Sequence, residues 1–429
     1  MRRRDFLALG AALPVFGGDG VPADITLRIS EITAELGPKH TVRTVAYNGQ
    51  TPGPLLRMTE GKTVTVEVVN ETDRPELVHW HGLHIPPEVD GAHEEGTPLV
   101  QGRDRRRYAF TPQPSGTRWY HTHAMAHHNL TIGSYSGQFG MLIVEPRTDP
   151  ARYDVEFPVI LHEWEPYFVA ATDLDYRVCT INGRMLGAGE PLRVRSGQRA
   201  LFRVLNASAT NYHRLALPGH QFTVTALDGN PVKTPRAVSV LELAPGERID
   251  AVVELNHPGV WILGEADASR RTAGAGIVVE YANAKGPARW IDPPAETWDL
   301  LAFGAAAGAA DPVTRIPIVI EPGVNGSLWA INGKSFPNTD PIRLTPNARN
   351  RLVFENRGMM DHPVHTHRYN FELARYAGRA TSGVWKDVVT VPMHQTVEVD
   401  LIANHPGPAL FHCHNQFHMD FGFMAVLYA

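Results

Sequence analysis

Three times along the chain an Asn-Gly pair is followed, after nearly the same interval, by a strand-like run that closes on asparagine. The pairs are Asn48-Gly49, Asn182-Gly183 and Asn332-Gly333, and the closing residues are Asn70, Asn206 and Asn356. Each copy then reaches a turn, Pro114-Ser115-Gly116, Pro258-Gly259 or Pro406-Gly407, that leads into another strand. Asn-Gly favours a tight hairpin turn because both residues tolerate positive φ. The intervening runs, such as Thr63–Val69, Ala200–Leu205 and Asn350–Glu355, alternate apolar and polar residues with period two. No long stretch has helical periodicity. A fixed order of turns and strands repeated three times predicts an all-β chain of three homologous Greek-key β-sandwiches.

Length agrees, since 429 residues at about 150 per domain make roughly three. Boundaries are expected near Glu145-Pro146 and across Asn283–Asp311, where Pro293-Pro294 and the Gly304–Gly308 stretch read as a linker. The expected domains are therefore 21–147, 148–283 and 313–429, with a linker at 284–312. Residues 1–20 read as an address. Arg3-Arg4-Asp5-Phe6-Leu7 opens an apolar run ending at Phe16, too short to span a bilayer. The order resembles a twin-arginine signal, which makes the export machinery an expected partner and the periplasm or cell exterior the expected location. With Lys+Arg 40 against Asp+Glu 45 there is no basic field to gather phosphates, so nucleic acid is not expected as a partner.

The unusual counts are His 21 and Cys 2. At that histidine frequency chance supplies about one His-x-His. The chain has four: His79-Trp80-His81, His121-Thr122-His123, His365-Thr366-His367 and His412-Cys413-His414. On a strand, i and i+2 share a face, so each pair aims two imidazoles at one place, and imidazole suits copper, zinc, iron and nickel. Two pairs lie in the first copy and two in the third. The middle copy carries Trp261-Ile262-Leu263-Gly264 instead, which places the expected metal between the outer copies. Cys413 must face away from its histidine neighbours. With His362 and His418 it makes a two-His, one-thiolate set, the set that trigonal blue-copper sites use.

These motifs, with the Trp119-Tyr120 and Gly82 that flank them, resemble the multicopper oxidase family, most closely three-domain laccases, over essentially the whole chain. The resemblance implies cupredoxin-like domains and four copper ions. A type 1 copper would sit on His362, Cys413 and His418, and a type 2 copper on His79 and His365. One type 3 copper would take His81, His121 and His414, the other His123, His367 and His412. Electrons from a small reducing substrate would pass from the type 1 site through Cys413 to its neighbours His412 and His414, and dioxygen would leave as water. Asp90, in Val89-Asp90-Gly91, matches the family carboxylate beside the cluster. Phenols and aromatic amines are the expected donors, with cuprous or manganous ion as the alternative, and a monomer is expected.

Several positions depart from the family pattern. Phe423 stands where many relatives carry an axial methionine, implying a high type 1 potential, with Met424 next to it. Gln416 and Met419 replace usual carboxylates, leaving Asp420 as the nearest acid, and Arg368 replaces a glycine. Met125, His127 and His128 read as a loop with incidental histidines, Met359 and Met360 as gap-filling methionines that could also guide cuprous ion, and Cys179 as a buried core thiol. A nitrite reductase would lack several of the pairs. A copper-free assembly protein would not need them, and a copper buffer would bind without consuming oxygen.

Overall fold

Each Asn-Gly pair makes the same turn, with φ of 52° and 72° at Asn48 and Gly49, 52° and 72° at Asn182 and Gly183, and 51° and 79° at Asn332 and Gly333. Two consecutive positive φ values are what a type I′ hairpin turn demands. The asparagine side chains repeat as well. Their Oδ1 atoms accept from the amides of Arg28 at 2.6 Å, Ile160 at 2.8 Å and Val319 at 2.7 Å. The closing asparagines Asn70, Asn206 and Asn356 are buried and use their amide groups on backbone carbonyls, while each Oδ1 accepts from the amide two residues on. The repeated residues are polar staples that satisfy buried backbone groups where strands turn.

The structure is a computed structural model that describes residues 22–148, 153–295, 297–306, 308–323 and 326–429. The signal-like segment 1–20 lies outside the described residues. Three two-sheet sandwiches follow one another, in the regions 25–145, 155–281 and 314–428. The first pairs the sheet His40–Tyr47, Ile25–Gly37, Val64–Asn70 and Arg105–Phe110 with the sheet Leu56–Thr59, Phe139–Glu145, Gly116–Thr122 and Val78–His79. The second sheet of the third sandwich runs Ile342–Arg343, Met424–Tyr428, Pro408–Cys413, His362–Thr366 and Val388–Val391. Its counterpart in the middle runs Leu192–Val194, Gly276–Tyr281, Val260–Glu265, His213–Ala216 and Val240–Leu243. In all three, the short first strand of this sheet pairs parallel with the last, and the opposite sheet contains one further parallel pair. The sandwiches are therefore mixed, as Greek-key crossovers allow.

Burial alternates along the strands, for example at every second residue of Val64–Asn70, so one face of each sheet packs inward. The middle and third sandwiches share one continuous apolar core, and a smaller cluster with Leu36, Trp119, Met141 and Trp164 joins the first to the middle. The linker segment is not a loose tether. Phe303 is buried, Trp298 packs on it, and Arg289 lies over Trp261 at 4.3 Å. Among the described residues, no helix is long and apolar enough to cross a membrane.

Candidate metal centres

Strand pairing brings the histidines together. In the first sandwich His79 stands opposite His121, and in the third His365 stands opposite His412. Each of these four lies in or at the end of a strand, whereas His81, His123, His367 and His414 fall just past the strand ends. The pairs thus do not lie flat on a strand face, as simple i, i+2 spacing predicts. They fan out at the strand tips into the space between the outer sandwiches. Ring centroids of His123, His367 and His412 form a triangle with sides of 5.1 Å. His81, His121 and His414 form a second, with sides of 5.6, 5.3 and 5.1 Å. His79 and His365 lie 5.7 Å apart, and each stacks at 3.8 Å on a ring of one triangle.

The hydrogen bonds show which nitrogen each ring keeps free. His79 Nδ1 donates to the Asp90 carbonyl at 2.9 Å, His121 Nδ1 to the Thr122 carbonyl at 2.8 Å, and His365 Nδ1 to the Asp387 carbonyl at 2.7 Å. His81 reverses the pattern, donating Nε2 to Asp387 Oδ1 at 3.0 Å. What remains buried without a partner is Nε2 of His79, His121 and His365 and Nδ1 of His81, while His414 has both ring nitrogens free. Buried polar atoms are normally satisfied. A ring whose one nitrogen is tied to a carbonyl or carboxylate and whose other faces a shared space is how a protein prepares a metal ligand. Burial, and then the neighbouring imidazoles, hold His81, His121, His123, His365 and His412 far below the usual histidine range, so they offer neutral lone pairs.

Cys413 points to the other side of its strand. Its Sγ lies 3.4 Å from His418 Nδ1 and 3.7 Å from His362 Nδ1, and the two nitrogens are 3.0 Å apart. His362 belongs to a strand, Cys413 to its neighbour, and His418 to the short helix Gln416–Asp420, whose cap Asn415 accepts from the amides of Phe417 and His418. Burial pushes the thiol up and holds His362 down to about 3. Three soft or borderline donors converging in a dry space fit a copper ion. Asp90 is no solvated turn residue. It is fully buried, with Oδ2 at 2.9 Å from His367 Nδ1 and 3.2 Å from His79 Nδ1. Burial alone would raise its carboxyl, but those two imidazoles hold it below the usual range.

Family models described as multicopper oxidase match residues 28–149, 170–283 and 312–429. The chain belongs to the multicopper oxidase family. It is 29% identical to the multicopper oxidase MmcO of Mycobacterium tuberculosis, over 88% of this chain and 81% of that one. The bilirubin oxidase of Albifimbria verrucaria is 26% identical, over 90% of this chain and 72% of that protein. A crystal structure of a multi-copper oxidase from Pseudomonas thermotolerans superposes with a TM-score of 0.76 at 26% identity, covering 95% of this chain and all of that one. Multicopper oxidases are copper-dependent oxidoreductases with oxygen as acceptor, and this chain is such an enzyme.

Within this multicopper oxidase, several residues that sequence reading left open acquire a place. Phe423 is fully buried with its ring 4.9 Å from His362, while Met424 faces a separate cluster with Met125, Met419 and Leu410. Arg368, at φ 62°, is spent on three backbone carbonyls, those of Ile85, Pro406 and Pro408, so it pins the first sandwich to the third. Gln416 donates to Asp420 Oδ1, and Asp420 Oδ2 accepts from the amides of Ala126 and His127, anchoring the loop after His123. His127 and His128 are exposed and lean on Phe421. Cys179 is buried as expected, though its neighbour is the Glu163 carboxylate at 3.8 Å.

Sequence reading missed three residues at the cluster. Glu95 is buried with Oε1 3.0 Å from His367 Nδ1, the nitrogen that Asp90 also holds, and the same oxygen accepts from the Leu410 amide. Burial and the charge of Asp90 push the Glu95 carboxyl up. Asp387 holds His81 and His365, and Arg248 holds Asp387. No spacing signal could have found them, because most of these contacts reach across more than a hundred residues.

Proposed function

We propose that this multicopper oxidase is laccase-like, taking single electrons from phenols or aromatic amines at a type 1 set of His362, Cys413 and His418, and reducing dioxygen to water among the eight paired histidines. Bound copper, one ion at the type 1 set and three among the imidazoles as one type 2 and two type 3 ions, would supply the one-electron redox chemistry. His79 and His365 fit the type 2 ion, and the two histidine triangles fit the type 3 pair. Cys413 is bonded directly to His412 and His414, which joins the two centres through a few covalent bonds.

The observation that carries the substrate reading is a cavity of about 330 Å³ with His418 in its wall, bordered by Leu174, Tyr212 and Phe417. That volume is at the lower end for small-molecule sites and takes an aromatic ring. Trp329 packs against His418 with ring centroids 4.1 Å apart and a tilt of 37°, which holds the imidazole in the wall. At the other centre, Asp90 and Glu95 both place a carboxylate oxygen on His367 Nδ1, and Asp90 Oδ1 and Glu95 Oε2 have no other partner, so a proton can be held there beside the cluster.

A second reading rests on the cavity rim. Met359 is 75% exposed and Met393 51%, and Asp361 accepts from the Met393 amide at 2.8 Å, so thioethers and a carboxylate stand together in front of His418. Thioethers suit cuprous ion. Oxygen uptake by copper-loaded protein with a phenol, with cuprous ion and with manganous ion separates the readings. The laccase reading expects the phenol to support uptake when Met359 and Met393 are both replaced by leucine, and the metal reading expects cuprous-dependent uptake to fall in that variant. Uptake that survives in Cys413→Ser overturns both. We also propose export by the twin-arginine route to the periplasm or cell exterior, supported by Arg3-Arg4-Asp5-Phe6-Leu7. Replacing Arg3 and Arg4 together by lysine keeps the charge and removes the arginine pair, and export unchanged by that replacement would end the reading.

A further inference from the structure

The middle sandwich carries none of the paired histidines, yet one of its turns reaches the cluster. Gly246, at φ 84°, lies so close to His414 that a Cβ there would sit 2.7 Å from its Cδ2 and 2.8 Å from its Cγ. Two residues on, Arg248 is fully buried and grips Asp387 with both ends of its guanidinium, at 2.7 and 2.6 Å. The remaining donors go to the carbonyls of Gly246 at 2.9 Å and Asp228 at 3.2 Å in its own sandwich and of Thr117 at 3.4 Å in the first, which locks the arginine in place. Asp228 Oδ2 accepts from the amides of Asp387 and Val388, and Lys386 bridges Asp228 and Glu247 at 2.9 and 3.1 Å. The middle sandwich thus holds the segment Lys386–Val388 of the third by side chain and backbone together.

That segment matters because Asp387 is shared by two sandwiches. Its Oδ1 holds His81 of the first at Nε2, and its carbonyl holds His365 of the third at Nδ1. One residue therefore decides that His81 presents Nδ1 and His365 presents Nε2 to the common space. Gly82, which follows His81, has no side chain because a Cβ would strike both Arg248 Nη2 and Asp387 Oδ2 at 2.8 Å.

We propose that the turn Gly246–Arg248 of the middle sandwich is a positioning element of the trinuclear cluster, acting through Asp387 on His81 and His365 and by direct contact on His414. The inference rests on the reading of those histidines as copper ligands. Arg248 touches no ligand itself. It fixes the carboxylate that orients two of them, and bidentate pairing is a task for arginine that lysine performs only in part.

The test uses copper-loaded full-length protein as wild type, Gly246→Ala, Arg248→Lys and Arg248→Met, measuring copper content, absorption near 330 and 600 nm, and the type 2 electron paramagnetic resonance signal. Partners one step removed from a metal typically govern affinity by about 10–100-fold. Arg248→Met is expected to weaken cluster copper by that factor and shift the type 2 signal, while the 600 nm band per bound type 1 copper is retained and shows that the chain is folded. Arg248→Lys should recover part of the loss, and Gly246→Ala should disturb the type 3 absorption through His414. If Arg248→Met loses the 600 nm band too, Gly246→Ala and Arg248→Lys decide. Variants with wild-type cluster affinity and spectra overturn this inference alone. A wild type that takes up type 1 copper and no cluster copper overturns the ligand reading beneath it.

Discussion

In the third sandwich Cys413 stands opposite Val364 on the neighbouring strand; in the middle sandwich Glu265 stands opposite Leu215. Two residues before those partners come His362 and His213. Both strands continue into a short helix capped by an Asx side chain, Asn415 in one case and Asp267 in the other, so that Arg270 takes the place of His418. Even the backbone bond repeats: the Cys413 amide donates to Phe423 and the Glu265 amide to Ala275. Yet the middle site is closed. Glu265 accepts from His213 Nδ1 at 2.8 Å, Ser208 bonds the other ring nitrogen at 2.8 Å, and Arg270 lies 3.6 Å from Glu163. The first sandwich solves the same position a third way, with Glu76 accepting from Thr122 at 3.0 Å. A carboxylate facing an imidazole or hydroxyl satisfies the buried groups internally. A thiol facing two imidazoles does not, and the unmet lone pairs are what a cation would take up. One scaffold therefore yields an open set of donors or a polar staple according to three side chains.

Four measurements would break or sharpen that contrast. Replacement of Cys413 by serine should abolish the 600 nm band and lower oxygen uptake with every donor by more than about 100-fold, since in the proposed type 1 set it removes a direct ligand, which must exceed the loss from a neighbour of a ligand. Replacement of Glu265 by alanine at the equivalent position should leave the copper spectrum and uptake unchanged and cost about 1–3 kcal/mol of stability, because His213 Nδ1 and the Arg214 amide lose their buried acceptor. A change in the 600 nm band in that variant would show that the middle position is not independent of the third. Phe423→Met offers a thioether to the type 1 set, and its reduction potential should fall by about 59 mV or more, one tenfold step in a one-electron equilibrium. An unchanged potential would mean that Phe423 is packing alone. The smallest effects belong to what the sandwiches share: Asn48→Ala, Asn182→Ala and Asn332→Ala should each cost about 1–2 kcal/mol, for a left-handed residue that loses its side-chain acceptor. Unequal costs in thermal unfolding would show that the three turns are not equivalent.

The resemblance of the three copies was visible in the chain because Asn-Gly turns and closing asparagines act on their immediate surroundings. The four His-x-His pairs were visible for the same reason, and so was the Cys413 set, whose members lie close to one another or to a pair. The geometry of the pairs was not. His81, His123, His367 and His414 lie one or two residues after the regular pairing stops, and spacing carries no record of where a ladder ends. Arg368 showed in the chain only as a replacement for a glycine, because the three carbonyls it binds lie about 40 and 283 residues away. The middle copy showed no paired histidines, yet Gly246 lies against His414 and Arg248 holds Asp387 from outside the cluster.

Local turn chemistry, period-two burial and the clustering of imidazoles along the chain were sufficient for an all-β triplicate whose histidine pairs belong to its outer members. The packing of three sandwiches decided the rest: which ring nitrogen His81 and His367 present, which carboxylates stand behind them, and which surface opens onto His418. Arg248 meets Asp387 across 139 residues and His81 meets it across 306. Hydrogen bonds of that reach exist only after the sandwiches have docked, and the direction of the His81 lone pair follows from them.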